Sequence, residues 1–143
     1  MQASYDYEPI ATVYLQFGAK TSLPFPLFKQ PGKYGQWVVD RGNGLFACVL
    51  SGHGDWENLD DDALAMALES ELAMPEKASW RKVIREKRAT FSAHPDLPRP
   101  DCRTANSRLF LAGDHTWADY PATLEGAVRS GRRAAQLALT LDC

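Results

Sequence analysis

Hydrophobic and polar positions alternate in part along "ATVYLQF", Ala11 to Phe17, where β-branched and aromatic side chains between Pro9 and Gly18 predict a strand. Two further apolar runs, "QWVVDR" and "LFACVLSG", are joined by the turn residues "GNG" and predict an antiparallel hairpin of Gln36 to Arg41 and Leu45 to Ser51. After "GHGDWEN" the period changes. Leu64, Leu68 and Leu72 recur every four residues, while Asp60, Asp61 and Asp62 place negative charge where a helix start favours it, so a helix ending before Pro75 is predicted. Alternation returns in "WRKVIREKRATFSA", which predicts a strand with one face in solvent. Its basic residues Arg81, Lys82, Arg85, Lys87 and Arg88 suit a charged strand edge better than a nucleic-acid patch.

Two stretches follow neither period. In "TSLPFPLFKQPGKYG", Pro24, Pro26 and Pro31 forbid regular pairing and predict an irregular loop. Its Leu23, Phe25, Leu27 and Phe28 need a surface, a core first and a pocket wall second. "HPDLPRPDCRTANS" predicts a proline-rich connector. Beyond it, "RLFLAG" (Arg108 to Gly113) reads as a short strand, "DHTWADYP" as a loop, and a last helix runs from about Thr123 to Leu141. The order of elements predicts an α+β chain. Residues 1–100 would form a mostly antiparallel sheet with one helix, and residues 101–143 a strand, loop and helix.

At 143 residues with 45% hydrophobic content, the chain can bury a real core. Sixteen Lys and Arg balance 18 Asp and Glu, which leaves no net field to attract nucleic acid. Cys48, Cys102 and Cys143 are widely spaced and fit reduced thiols rather than a disulfide or zinc framework. "MQASYDYEPI" has no secretory pattern, and no apolar run approaches the ~20 residues of a spanning helix. The expected location is cytoplasmic, free or at the periphery of a membrane.

The last helix carries two rows of small side chains: Gly126, Ser130, Ala134 and Ala138 in one, Ala127, Gly131 and Ala135 in the other. An interior glycine costs a helix about 1 kcal/mol relative to alanine, so two of them need an offsetting close approach. Helix-on-sheet packing offers one such gain, and a planar ligand offers another. The rows begin at the helix start, where free N–H groups and the positive dipole end receive anionic groups, and Gly113 and Asp114 precede that start with a carboxylate acceptor.

"LFLAGDHTWADYPATLEGAVRSGRRAA" resembles the C-terminal FAD-binding signature of the flavin amine oxidase and phytoene desaturase superfamily. "YEPIATVYLQF", "GQWVVDR" and "EKRATF" more narrowly resemble the squalene-associated FAD-dependent desaturases, which include hydroxysqualene dehydroxylases. The resemblance implies that Gly113 and Asp114 lie beside the ribityl and pyrophosphate part of FAD. It implies further that Thr123, Leu124, Glu125, Gly126 and Ala127 bring the helix start to the pyrimidine side of the flavin, with Tyr120 and Pro121 flanking the ring. The helix dipole would then stabilise charge on the reduced flavin.

Such enzymes open with a GxGxxG strand–helix unit, and "GKYG", "GNG" and "GHG" do not supply one here. The expectation is therefore a C-terminal fragment or subunit of an FAD-dependent oxidoreductase acting on a squalene or carotenoid type of isoprenoid. It would be inactive and flavin-free alone, partnered by the N-terminal portion or by a second copy. The alternative is a stand-alone, non-catalytic module that binds an apolar ligand or a protein. His53, His94 and His115 lack metal-ligand spacing, and Ser51 in "LSGHG" lacks a nucleophile elbow, so neither a metal site nor a catalytic residue is assigned.

Overall fold

The computed structural model of the chain describes residues 5–35 and 37–140. Strands β1 (Tyr7–Gln16), β2 (Leu27–Lys29), β3 (Trp37–Asp40) and β4 (Leu45–Ser51) precede helix α1 (Asp61–Leu72), strand β5 (Trp80–Phe91) and helix α2 (Leu124–Leu139). The chain divides into two compact units. Glu8–Ala89 forms one, and the residues up to Tyr7 together with those from Thr90 onward form the other.

The first unit is built on an antiparallel sheet in the order β2-β3-β4-β1-β5, and with the two helices it makes the fold α+β, as the pattern predicts. The expected hairpin forms, and its register sets Trp37 opposite Val49 and Asp40 opposite Phe46, while Gln36 lies outside the described residues. Its turn runs through Gly42, Asn43 and Gly44, all at positive φ. Gly44 is also sterically required, since a Cβ there would strike the carbonyl of Gly18.

Two expectations about prolines need correction. β1 begins at Tyr7 and takes in Pro9, which sits just before the first β1–β4 pair, Ile10 with Ser51, so its missing N–H breaks no bond of that ladder. Between Pro26 and Pro31, Leu27–Lys29 pairs with β3, although the prolines were expected to forbid pairing. Three residues free of proline suffice because β2 is an edge strand and has one neighbour to satisfy.

Alternation along β1 sends Ala11, Val13 and Leu15 to one face, where they meet Val38, Phe46, Cys48 and Leu50 of the hairpin and Leu64, Ala65 and Leu68 of α1. Burying each large aliphatic side chain contributes about 1.5–3 kcal/mol, so this contact is what holds α1 on the sheet. The helix starts where the aspartates predict, with the Asp60 carboxylate accepting from Ala63 N at 2.7 Å. It stops at Ala73, in the left-handed conformation at φ 48°. Glu71 then fastens the proline loop: its carboxylate accepts from the backbone N–H groups of Lys33 (2.8 Å), Tyr34 (3.3 Å) and Gly35 (3.3 Å).

The opposite sheet face carries a second apolar patch, centred on β3 and β4. Paired residues share a face, so Leu27, Val39, Ala47 and Tyr14 make one row across the sheet, and Lys29, Trp37, Val49 and Thr12 make the next. Leu27 is 53% exposed and Trp37 45%. β4 is therefore apolar on both sides, the pattern of a strand covered on both faces.

In the second unit, Arg108 to Gly113 does not form the expected strand. Arg103 and Phe110 make an isolated bridge, and Leu111 N donates to Cys102 O at 2.8 Å. Among the described residues no strand lies beside this segment to extend a ladder, and backbone groups cannot form a strand without one. α2 runs where predicted up to Leu139, and Leu141 lies outside the described residues.

Candidate functional site

The start of α2 is shaped by three residues. Thr123 caps it, its hydroxyl oxygen accepting from Gly126 N at 3.0 Å while its O–H donates to Tyr120 O at 2.9 Å. Gly126 is buried under that same Tyr120 carbonyl, against which a Cβ would collide. The N–H groups of Leu124 and Glu125 find no acceptor among the described residues, and the Leu124 side chain is 88% exposed. The helix therefore begins with two free donors at its positive end, open to solvent.

Ser130, one turn further, ties the preceding loop to this helix. Its Oγ accepts from Gly113 N at 2.8 Å and its O–H donates to Ala127 O at 2.8 Å, and the side chain is fully buried. Gly113 itself adopts φ 152°, and a Cβ there would meet the His115 ring at 2.5 Å. Asp114 follows at the start of a short 3-10 turn, Asp114–Thr116, with its side chain 38% exposed and one oxygen 3.6 Å from His115 Nδ1. Its carboxylate can still accept from an incoming hydroxyl.

The structure thus brings Gly113, Asp114, Tyr120, Pro121, Thr123, Leu124, Glu125, Gly126 and Ala127 into one compact unit. The small-residue rows divide in function. Gly126 and Ser130 are buried against the chain's own loop, so packing explains them, whereas Gly131 of the second row has nothing within 4 Å of where a Cβ would stand. Ala138 is exposed and belongs to neither contact. Tyr120 stacks under the Arg129 guanidinium at 4.7 Å, and Arg129 is paired with Glu125 at 2.6 Å.

Trp117 carries no signal in the sequence, because one tryptophan in a loop has no periodicity. Its carbonyl accepts from Arg99 at 2.8 Å, while its indole Nε1 is buried with no hydrogen-bond partner. Leaving such a donor unmade costs about 1–3 kcal/mol. With Glu125, Val128, Arg129, Arg132, Arg133 and Gln136, Trp117 lines an open groove of about 640 Å³ along α2.

His53 lies 3.0 Å from Glu57 and 4.0 Å from Glu8, and no group of three metal-ligating side chains occurs among the described residues. Burial pushes the Cys48 thiol up to about 12, which leaves it protonated and inert. No helix among the described residues is long and apolar enough to cross a membrane.

Known proteins share this arrangement of sequence. The family of flavin containing amine oxidoreductases matches residues 3–139, nearly the whole chain, and the chain belongs to that family. Within it, the chain is 52% identical over 63 residues to the hydroxysqualene dehydroxylase of Sinorhizobium fredii, which covers 43% of this chain and 15% of that protein. It is 38% identical over 63 residues to the probable zeta-carotene desaturase of Synechococcus elongatus, covering 43% of this chain and 13% of that protein. With the zeta-carotene desaturase of Arabidopsis thaliana it shares 29% over 106 residues, 68% of this chain and 19% of the relative. The matched stretches span less than a fifth of the length of these relatives.

Proposed function

We propose that the chain supplies the flavin-facing and substrate-facing part of an FAD-dependent oxidoreductase of the dehydroxylase or desaturase type, acting on a squalene or carotenoid type of isoprenoid. It works together with an N-terminal dinucleotide-binding portion. The observation that carries this reading is the open start of α2 with its two unused N–H donors, in the same unit as the Asp114 carboxylate, whose neighbour Gly113 is tied to the helix by the Gly113–Ser130 hydrogen bond. Those groups fit a ligand that is anionic at one edge and hydroxyl-bearing along its chain, as FAD is. The similarity to a hydroxysqualene dehydroxylase and a probable zeta-carotene desaturase supports the substrate class.

In this reading Asp114 accepts from a hydroxyl of FAD, and Gly113 admits close approach of the main chain. Thr123, Leu124, Glu125, Gly126 and Ala127 present the positive helix end to the ring, with Tyr120 and Pro121 beside it. FAD, when bound, would supply the hydride chemistry, accepting hydride in a desaturation and giving it in a dehydroxylation, and its reduced form carries negative charge. The chain's own part is to stabilise the negative charge that arrives and to keep water from an apolar substrate, for which the sheet face carrying Leu27, Trp37, Val39 and Val49 is suited.

The test mixes this chain with the N-terminal portion of the Sinorhizobium fredii hydroxysqualene dehydroxylase and measures flavin retained through gel filtration. Retention is expected only in the mixture, and Asp114→Ala should weaken it at least tenfold. A mixture of two folded pieces that retains no flavin would overturn the proposal. If the chain then still takes up an apolar probe, a non-catalytic binding module becomes the better reading.

A further inference from the structure

The histidine after Asp114 is held by its surroundings rather than left free in a loop. His115 folds back over Gly113: a Cβ at that glycine would stand 2.5 Å from Cε1 of the imidazole and 2.6 Å from Nδ1, so the ring fills the space that any larger residue at 113 would need. The Tyr5 ring lies beside it, with centroids 6.3 Å apart and planes tilted by 59°. The turn beneath is closed by Thr116, whose N–H (3.1 Å) and hydroxyl (3.0 Å) both donate to Gly113 O. Held there, the ring brings Nδ1 to 3.6 Å from Asp114 Oδ1. Asp114 is the one charged group paired with His115 among the described residues.

In a neutral imidazole Nδ1 carries either a proton or a lone pair. A lone pair facing a carboxylate is repelled, whereas an N–H is attracted, so Asp114 selects the Nδ1–H form over the Nε2–H form that a free histidine side chain favours in water. The same contact acts on the carboxylate, which is partly exposed and could otherwise turn about its last bond. With Oδ1 drawn to the ring, Oδ2 faces away from it. The separation is longer than a hydrogen bond, and pairs of this kind close up when a ligand fixes one member.

We propose that His115 is a positioning residue for Asp114, holding Oδ1 through its Nδ1–H so that Oδ2 is presented to a ligand hydroxyl. The inference rests on the reading of Asp114 as an acceptor for FAD and adds the group that orients it. Gly113 then serves a second purpose, since only a residue without a side chain leaves room for the imidazole.

The first test needs no flavin. Two-bond proton–nitrogen correlation on the nitrogen-15-labelled chain, recorded at about pH 8 where an ordinary histidine is neutral, reads the tautomer of each ring. His115→Asn identifies the signals of His115 among those of His53 and His94. The expected result is the Nδ1–H form in the parent chain and a return to Nε2–H in Asp114→Ala. Nε2–H in the parent overturns the proposal. The second test uses the mixture with the N-terminal portion of the dehydroxylase. His115→Phe keeps a ring over Gly113 and loses the nitrogen, whereas His115→Asn loses the ring and keeps a nitrogen donor near the place of Nδ1. Removing a hydrogen bond to a charged group should weaken flavin retention about tenfold in His115→Phe, while His115→Asn stays within about threefold of the parent. Retention by His115→Phe as tight as the parent's, or an equal loss in both variants, overturns the proposal and leaves the reading of Asp114 in place. If the parent mixture retains no flavin, the FAD reading fails instead, and the tautomer still decides whether His115 orients the carboxylate.

Discussion

Glycine to alanine in a helix ordinarily stabilises by about 1 kcal/mol, and α2 contains two glycines for which the structure gives opposite answers. At Gly131 an added Cβ meets nothing within 4 Å, so Gly131→Ala should gain the full propensity difference. At Gly126 the same atom collides with the Tyr120 carbonyl and lies 3.4 Å from Thr123 Oγ1. The obstacle is backbone, and it accepts the Thr123 hydroxyl, so it cannot yield without loosening the helix cap. Forcing an extra methyl into a packed site costs about 1–3 kcal/mol, which outweighs the propensity gain and leaves Gly126→Ala net destabilised by up to about 2 kcal/mol. The pair should therefore differ by about 1–3 kcal/mol, or roughly 3–12 °C in melting temperature for a chain of this size. Thermal melts followed by circular dichroism measure it. Equal stabilisation by both substitutions would show that no carbonyl covers Gly126 and that the loop does not close on the helix as described.

The other predictions concern single contacts. Ser130→Ala removes the acceptor of Gly113 N and should cost about 1–3 kcal/mol in chemical denaturation; a loss below experimental error would mean the loop is held elsewhere. Glu76 is held below its ordinary value of 4.5, chiefly by the Thr21 hydroxyl and then by the Gly18 N–H. A carboxylate lowered on folding gives stability that is complete above its unfolded value and disappears as pH falls through its folded one. Glu76→Gln should therefore flatten the acid limb of the stability curve below pH 4.5, and an unchanged limb in urea titrations would contradict the contact. Cys48, with its thiol raised to about 12 by burial, should resist alkylation in the native chain and react once denaturant is added, as peptide mapping can show.

Long periodic segments were legible from their pattern, and in β1, the hairpin and α1 that pattern coincides with burial. β1, the hairpin, α1, β5 and α2 each repeat a two- or four-residue rhythm, and the Asp60 and Thr123 caps mark where the helices begin. What could not be read depends on neighbours rather than on local residues. Leu27–Lys29 becomes a strand only because β3 lies beside it, and Arg108 to Gly113 fails to become one for lack of such a neighbour. At the candidate site, Gly113, Asp114 and the helix start were visible in the sequence. The Ser130 tether, the Trp117 groove and the two-sided apolar character of the sheet needed the register and the burial.

That second apolar sheet face sets a condition on the life of the chain in a cell. Side chains such as Trp37 and Leu27, lined up on strands that are already paired, cannot be hidden by any rearrangement of the sheet, since turning them inward would expose Val38 and Phe46. Within this chain that face therefore stays open to whatever apolar neighbour meets it, and expression of the chain by itself should respond to a companion, a chaperone or a greasy small molecule that covers it.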